Sequence, residues 1–497
     1  MEVITFILYF VIVLAIGIFF FVKSKGSNEK DYFLGGRKMG PWVTAMSAQA
    51  SDMSAWLLMG LPGSILAFGL GQAWIGIGLA IGTALNWIFV ARRLRCFSQA
   101  AGDSITLPQY LSNRFASKKR TLQVVSAVIF LVFFTVYVAS SFVAGTTVFT
   151  TLFPALKSEV AMVIFALIII CYTFLGGYKA VCWTDFFQGL LMLVALLAVP
   201  IAIVASGALD PALLGETVTS ADGTVYSFTA NPFKAPASEI VSGLAWGLGY
   251  FGMPHILVRF MGIQKPSMVK KSATVAIVWV VLSLGATMLL AYFGKMLPVG
   301  GELLAAGNQK LIFVQLARQL FPAFIAGFLL AAIIAASMST ADSQLLVASS
   351  SFTSDIYKPL IRKKASDKEI LWVGRAVVLI IAVIAYFIAS SKAQGAQAIM
   401  DMVENAWAGF GSSFGPVVIL SLFWRRLTYK GACAGVIVGA VVDVVWMIWI
   451  KPVTGIYEIL PAFICGLIAA VVASLIDREP AAEVTAIFDK AISSDCE

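Results

Sequence analysis

Charge is scarce in this chain, and histidine is nearly missing. Asp, Glu, Lys and Arg make up 12% of the 497 residues, and His255 stands alone; an ordinary soluble domain carries about 25% charged residues. A lone histidine cannot build a histidine-rich metal cluster, and His255 reads as incidental. The six cysteines, Cys96, Cys171, Cys182, Cys433, Cys465 and Cys496, show no paired spacing. That argues against a zinc site and reads as free, buried thiols. No phosphate-binding Walker loop occurs, so transport driven by ATP within this chain is not expected. No nucleophile–base pair stands out, which leaves no catalytic residues to assign and argues against an enzyme.

What is abundant is apolar length. Hydrophobic residues are 60% of the chain, in runs of about 20 residues, long enough to cross the hydrocarbon layer of a bilayer. The pattern predicts an all-α membrane protein of about 13 transmembrane helices. They fall near residues 3–22, 41–65, 68–92, 122–150, 158–176, 182–206, 236–258, 271–296, 311–345, 370–390, 397–424, 430–450 and 456–476. The first run is too long for the apolar part of a signal peptide and lacks a basic start and a cleavage site, so it is expected to be retained.

The net charge of +9 would point to nucleic acid or acidic lipid if the bases formed one patch. They crowd instead into alternate connections, as in Arg92, Arg93, Arg95, Arg114, Lys118, Lys119 and Arg120, and again in Lys358, Arg362, Lys363, Lys364 and Lys368. By the positive-inside rule this predicts an outside N-terminus and a cytoplasmic C-terminus. The partner is then the lipid bilayer, with no nucleic acid and no obligate protein partner inferred. The expected organisation is a first helix with its cytoplasmic loop (1–40), helices 2–6 (41–206), an extracellular loop (207–235), helices 7–11 (236–424), helices 12–13 (425–476) and a cytoplasmic tail (477–497). That tail is too short to be a soluble kinase or nucleotide-binding domain.

Three places break the apolar pattern. The second helix holds the run Ser47 to Trp56, with Asp52 inside it, followed by Gly60, Pro62 and Gly63. An aspartate at mid-bilayer costs about 2.5–3.5 kcal/mol on insertion scales, so Asp52 should face protein, water or an ion, as a packing carboxylate or as part of an ion site. The seventh helix carries Gly243, Gly247, Gly249 and Gly252 and closes on Pro254. Either its backbone unwinds where it lines a cavity, or its small residues serve close helix packing. These two helices lie five places apart, as expected if helices 2–6 and 7–11 are inverted repeats, and matched broken helices point to a transporter's binding site.

The third patch is Ala335 to Ser343 in helix 9, where Ser339 and Thr340 offer hydroxyls beside backbone carbonyls. Such oxygens suit a hard cation, but they also serve bonds to a preceding carbonyl. Trp56, Tyr137, Trp246 and Tyr250 fall at comparable mid-membrane depths, where they could enclose a small apolar ring or a ligand cation, or pack the core. Asp185, Glu404 and Asp443 are further in-membrane acids, suited to ion coupling or to packing.

Several runs resemble the sodium/solute symporter family, nearest its proline-transporting branch. They are Asp31-Tyr-Phe-Leu-Gly-Gly-Arg37, the island Ala50-Ser-Asp-Met-Ser-Ala-Trp56 with Leu-Leu-Met-Gly-Leu-Pro-Gly after it, and Ile105-Thr-Leu-Pro-Gln-Tyr-Leu-Ser-Asn-Arg-Phe115. Others are Gly176-Gly-Tyr-Lys-Ala-Val-Cys-Trp-Thr-Asp185-Phe-Phe-Gln188 and Arg426 with Gly431, Ala432 and Gly435. The likeness covers nearly the whole chain. It implies a leucine-transporter-type core of five plus five inverted helices, with one extra helix before it and two after, in a bacterial inner membrane. It implies symport of sodium, as a co-transported ion with no organic cofactor, and of L-proline.

The resemblance maps a sodium site onto the carbonyls of Ala50, Met53 and Ala336 and the hydroxyls of Ser339 and Thr340, with Asp52 in support. It maps a proline site onto Ser54, Trp56, Tyr137, Trp246, Tyr250 and Pro254. Two departures stand out: Ala55, where glycine is common, and Asp342, where an uncharged residue is usual. Another amino acid, pantothenate or a sugar is the alternative cargo, and a transporter-like sensor the alternative role.

Overall fold

A proline and a strained serine decide how the second span is built. Pro41 opens the helix Pro41–Met53, its missing N–H falling where a helix needs none. Ser54 then turns to φ 44°, ψ −176°, which ends that helix. A short turn, Ala55–Leu57, leads to a second half-helix, Gly60–Phe68. The computed structural model describes residues 2–23, 28–391 and 396–493, and this broken span lies at its centre.

Ten helices among the described residues are long and apolar enough to cross a membrane. An eleventh crossing is a pair, Ala237–Phe251 and Pro254–Gly262, bent by 42°. The expected second span falls on the broken pair and the fifth on the first part of Ser158–Ser206. That 49-residue element kinks at Gly177, where φ is 62° and a side chain would meet the Tyr32 ring at 2.9 Å. By length and composition ten helices among the described residues, or eleven with the bent pair, qualify as crossings, and the shorter apolar helices Ala55–Phe68 and Ser158–Cys171 lie where the second and fifth spans are expected. The outer surface of the bundle is apolar, with Ile201, Phe387 and Ile468 among its exposed side chains.

The ninth span departs from expectation at both ends. Its expected start, residue 311, ends a short turn, Gln309–Leu311, that leads into a separate helix, Ile312–Leu320. Pro322 forces Phe321 into extended backbone (φ −126°, ψ 149°), and the span begins afresh at Ala323. At its far end it does not stop at 345 but runs to Ser350 and on, π-wound, to Ile361. The hydroxyls of Ser350 and Thr353 find partners within this stretch, bonding back to the carbonyls of Val347 and Ser349, a pattern that bends a helix without ending it.

The connections cover the two ends of the bundle. At one end the segment 207–235 carries a small hairpin, Val218–Thr219 with Val225–Tyr226. It is tied to the third span by Leu70 N–H to Thr229 O at 2.8 Å. At the other end a helix, Ala482–Ile492, docks within what was expected to be a plain tail: Phe488 packs on Phe97, and Arg114 donates to Val484 O at 3.1 Å. Cys171, Cys182, Cys433 and Cys465 are free as expected, although Cys171 is exposed and only Cys182 fully buried, whereas Cys96 is disulfide-bonded, and Cys496 lies outside the described residues.

Candidate functional site

The break at Ser54 creates the site's backbone chemistry. The last four carbonyls of a helix have no partner one turn on, and in Pro41–Met53 these belong to Ala50, Ser51, Asp52 and Met53. The ninth span passes beside them. Ser339 donates its hydroxyl to Ala50 O at 2.8 Å and shares it with Ala336 O in its own helix at 3.2 Å. The next hydroxyl, Thr340 Oγ1, is buried without a hydrogen-bond partner among the described residues. Ala50, Ala336 and Ser339 are thus joined directly and Thr340 adjoins them, while Met53 sits three residues on at the helix end.

Asp52 faces elsewhere. Its carboxylate accepts the Tyr250 hydroxyl at 2.5 Å, and its backbone carbonyl accepts the Tyr137 hydroxyl at 3.4 Å. The second, fourth and seventh spans therefore meet at one buried residue. Tyr250 is held in turn by Asn86, which donates to its backbone carbonyl at 3.0 Å.

The aromatic residues form a cluster rather than separate packing contacts. Trp56 stacks on Trp246 with ring centroids 5.6 Å apart at 24°. Trp407, on the eleventh span, stands edge-on to Tyr250 at 5.0 Å and donates its indole N–H to Trp246 O at 2.8 Å. Gly249 makes room for that indole, since a side chain there would strike Trp407. Ser54 accepts from Trp56 N–H at 3.1 Å, fixing the turn that carries the Trp56 ring. Pro254 is buried and opens the second half of the bent span. A cavity of about 390 Å3, bordered by Ser64, Gln72, Glu239 and Glu404, reaches down to Trp246 and Met400. The Trp56 indole N–H points to the Met400 sulfur directly beneath. The cavity opens at the end that carries the 207–235 segment.

A second buried constellation turns on Arg259, which the sequence did not single out, and on Asp185, expected among the in-membrane acids. Arg259 pairs with Asp185 at 3.2 Å, both fully buried. Arg259 also donates to Ser47 at 3.1 Å, to Ser343 at 2.5 Å and to His255 O at 3.0 Å. The expected end of the seventh helix, residue 258, stops one residue short of it; an arginine inside an apolar run was the available signal. Trp407 gave a weaker one, a mid-span indole just before a glycine-rich stretch closing on Pro416. Glu404 and Asp443 also have protein partners, Lys451 at 2.8 Å and Ser412 at 3.2 Å. No group of three or more His, Cys, Asp or Glu suited to a metal occurs among the described residues.

The model of the Sodium:solute symporter family matches residues 32–439. The sodium/proline symporter of Haemophilus influenzae is 43% identical over 499 residues, covering 99% of this chain and 97% of that one. Those of Escherichia coli K12 and Staphylococcus aureus NCTC 8325 are each 42% identical, over 98% and 97% of this chain and 95% and 94% of theirs. In fold, the chain is similar to a Na+-coupled sialic acid symporter in a substrate-bound, outward-open state, with a TM-score of 0.75 at 20% identity, covering 97% of this chain and 98% of that one. A transporter of the nucleobase-cation-symport-1 family in a closed conformation gives 0.54 at 13% identity, over 92% and 98%. The core is thus of the leucine-transporter type, two inverted sets of five helices. With a family model spanning most of its length and near full-length relatives above 40% identity, the chain belongs to the sodium:solute symporter family.

Proposed function

We propose that this protein carries L-proline into the cell together with sodium by alternating access. The observation that carries the reading is the meeting of helix-end carbonyls, the Ser339 and Thr340 hydroxyls and a tryptophan–tyrosine cluster at one break in the second span. The near full-length likeness to proteins named sodium/proline symporters supports it.

Sodium, as cargo, is held by the carbonyls of Ala50, Met53 and Ala336 and the hydroxyls of Ser339 and Thr340. An oxygen-only donor set of this kind matches a hard cation. The partnerless Thr340 hydroxyl has a lone pair to give, and Ser339 rotates its proton away from Ala50 O to ligate. Asp52, fixed by Tyr250, adds negative charge nearby. Proline lies against Ser54, Trp56, Tyr137, Trp246, Tyr250 and Pro254, where the rings enclose its pyrrolidine. Because Asp52 carries Tyr250 on its side chain and Tyr137 on its backbone, a shift of the second span by the ion reaches the solute site. Each ligand must then raise the other's affinity by the same factor.

The cargo crosses unaltered, so no catalytic residue is assigned. The N-terminus lies outside and the C-terminus in the cytoplasm of a bacterial inner membrane, which makes the 390 Å3 cavity the outer vestibule. Residues 41–206 and 236–424 form the two repeats. Radiolabelled proline uptake into proteoliposomes tests the proposal. Uptake should follow an inward sodium gradient and collapse when potassium replaces sodium; uptake indifferent to the gradient would overturn it.

A further inference from the structure

The last two spans lie outside the paired repeats, yet the hairpin between them reaches the aromatic cluster. Tyr457, in that connection, is 1% exposed, and its ring lies 5.2 Å from Trp246 at 33°. Its hydroxyl donates to Glu404 O at 2.8 Å, and its N–H donates to Ser242 Oγ at 3.0 Å. The hairpin thereby grips the eleventh and seventh spans together. Lys451 reinforces the grip, bonding Glu404 at 2.8 Å and Glu458 at 2.9 Å while its ammonium sits 5.3 Å from the Tyr457 ring centroid. Ser242, Glu404 and Gly455 all border the vestibule, and Trp246 forms its floor. A tyrosine that served only to fill space between the accessory spans would not need both ends tied to spans of the core.

We propose that Tyr457 is a positioning residue for the transported solute: it backs Trp246, and the Lys451 clamp holds it there, so that two accessory helices help to set solute affinity. This rests on the reading of Trp246 as a wall of the proline site. A stacked aromatic pair is worth enough to change affinity by between about two- and tenfold. Tyr457 should act through Trp246 alone, with little effect on the ion site, which lies across the break.

Equilibrium binding of labelled proline, measured at saturating sodium, tests this with four proteins beside the unsubstituted one. Tyr457→Ala should raise the proline Kd by about five- to tenfold, and Tyr457→Phe, which keeps the ring, should restore most of the affinity. In a Trp246→Leu background, adding Tyr457→Ala should change the Kd by less than about twofold, because coupled residues do not add. Unchanged affinity in Tyr457→Ala would overturn the proposal, as would the same loss in both backgrounds. Should the alanine variant fail to reach the membrane, Tyr457→Leu fills the volume without a ring and takes its place with the same expectations. Failure of the unsubstituted protein to bind proline would overturn the proposed cargo instead, a result the variants do not share.

Discussion

Thr340 offers a clean test at the scale of one atom. Its hydroxyl is buried and has no partner among the described residues to orphan, so Thr340→Val should leave the melting temperature unchanged or raise it slightly. If that oxygen holds sodium, the sodium concentration for half-maximal proline uptake should rise by about tenfold or more. Asp52→Asn separates charge from shape, since the amide can still accept from the Tyr250 hydroxyl. Sodium activation of uptake should weaken markedly while the folded protein remains abundant in the membrane; unchanged activation would return Asp52 to a packing role. Asp52, Ser339 and Thr340 were legible in the sequence because polar atoms in an apolar run are costly and therefore conspicuous. Trp407 and Tyr457 were not: an aromatic residue costs nothing in an apolar setting, and only the packing of distant segments shows which rings meet.

Between elements, the Arg259–Asp185 pair ties the bent seventh span to the long helix after Gly177. Removing one partner leaves a buried charge uncompensated, a loss of about 3–5 kcal/mol. Arg259→Met should therefore lower the melting temperature in detergent strongly, and Asp185→Leu in the same protein should recover much of it. A double variant no more stable than the single would show that the pair carries little of the link. The spans themselves were readable because apolar length is set by bilayer thickness. Their ends were not, because two local effects compete with composition there. Pro322 cuts off a helix that hydropathy alone would merge with the ninth span, and the serine-rich stretch after 345 continues it with its hydroxyls bonded back to their own backbone instead of ending it.

At the scale of the whole molecule, ion pairs tie the end opposite the 390 Å3 cavity, beside a larger cavity of about 670 Å3 lined by Lys30, Asp103 and Lys358. Arg37 donates to Asp103 at 2.8 Å and to Met261 O at 2.5 Å, and Lys30 pairs with the same Asp103. Partial burial alone would raise the Asp103 carboxyl, but the Lys30 hydrogen bond and the Arg37 charge outweigh it and hold the group below its ordinary value. The contribution of a depressed acid is present above its unfolded value, about 3.9, and is lost only as pH falls through the lower folded one. Limited proteolysis of the 28–40 segment should thus be indifferent to pH between about 5 and 8, and Asp103→Asn should expose the segment at every pH in that range.

The contact of Tyr457 with Trp246 also sets the order in which the protein can become competent during synthesis. Rings from position 56 to position 457 share one cluster, so a ribosome must finish nearly the whole chain before the cluster can close. Helices inserted early must wait in the bilayer with indoles and a carboxylate unsatisfied. Until the final hairpin arrives, an incomplete carrier has no finished pocket through which to leak its gradient.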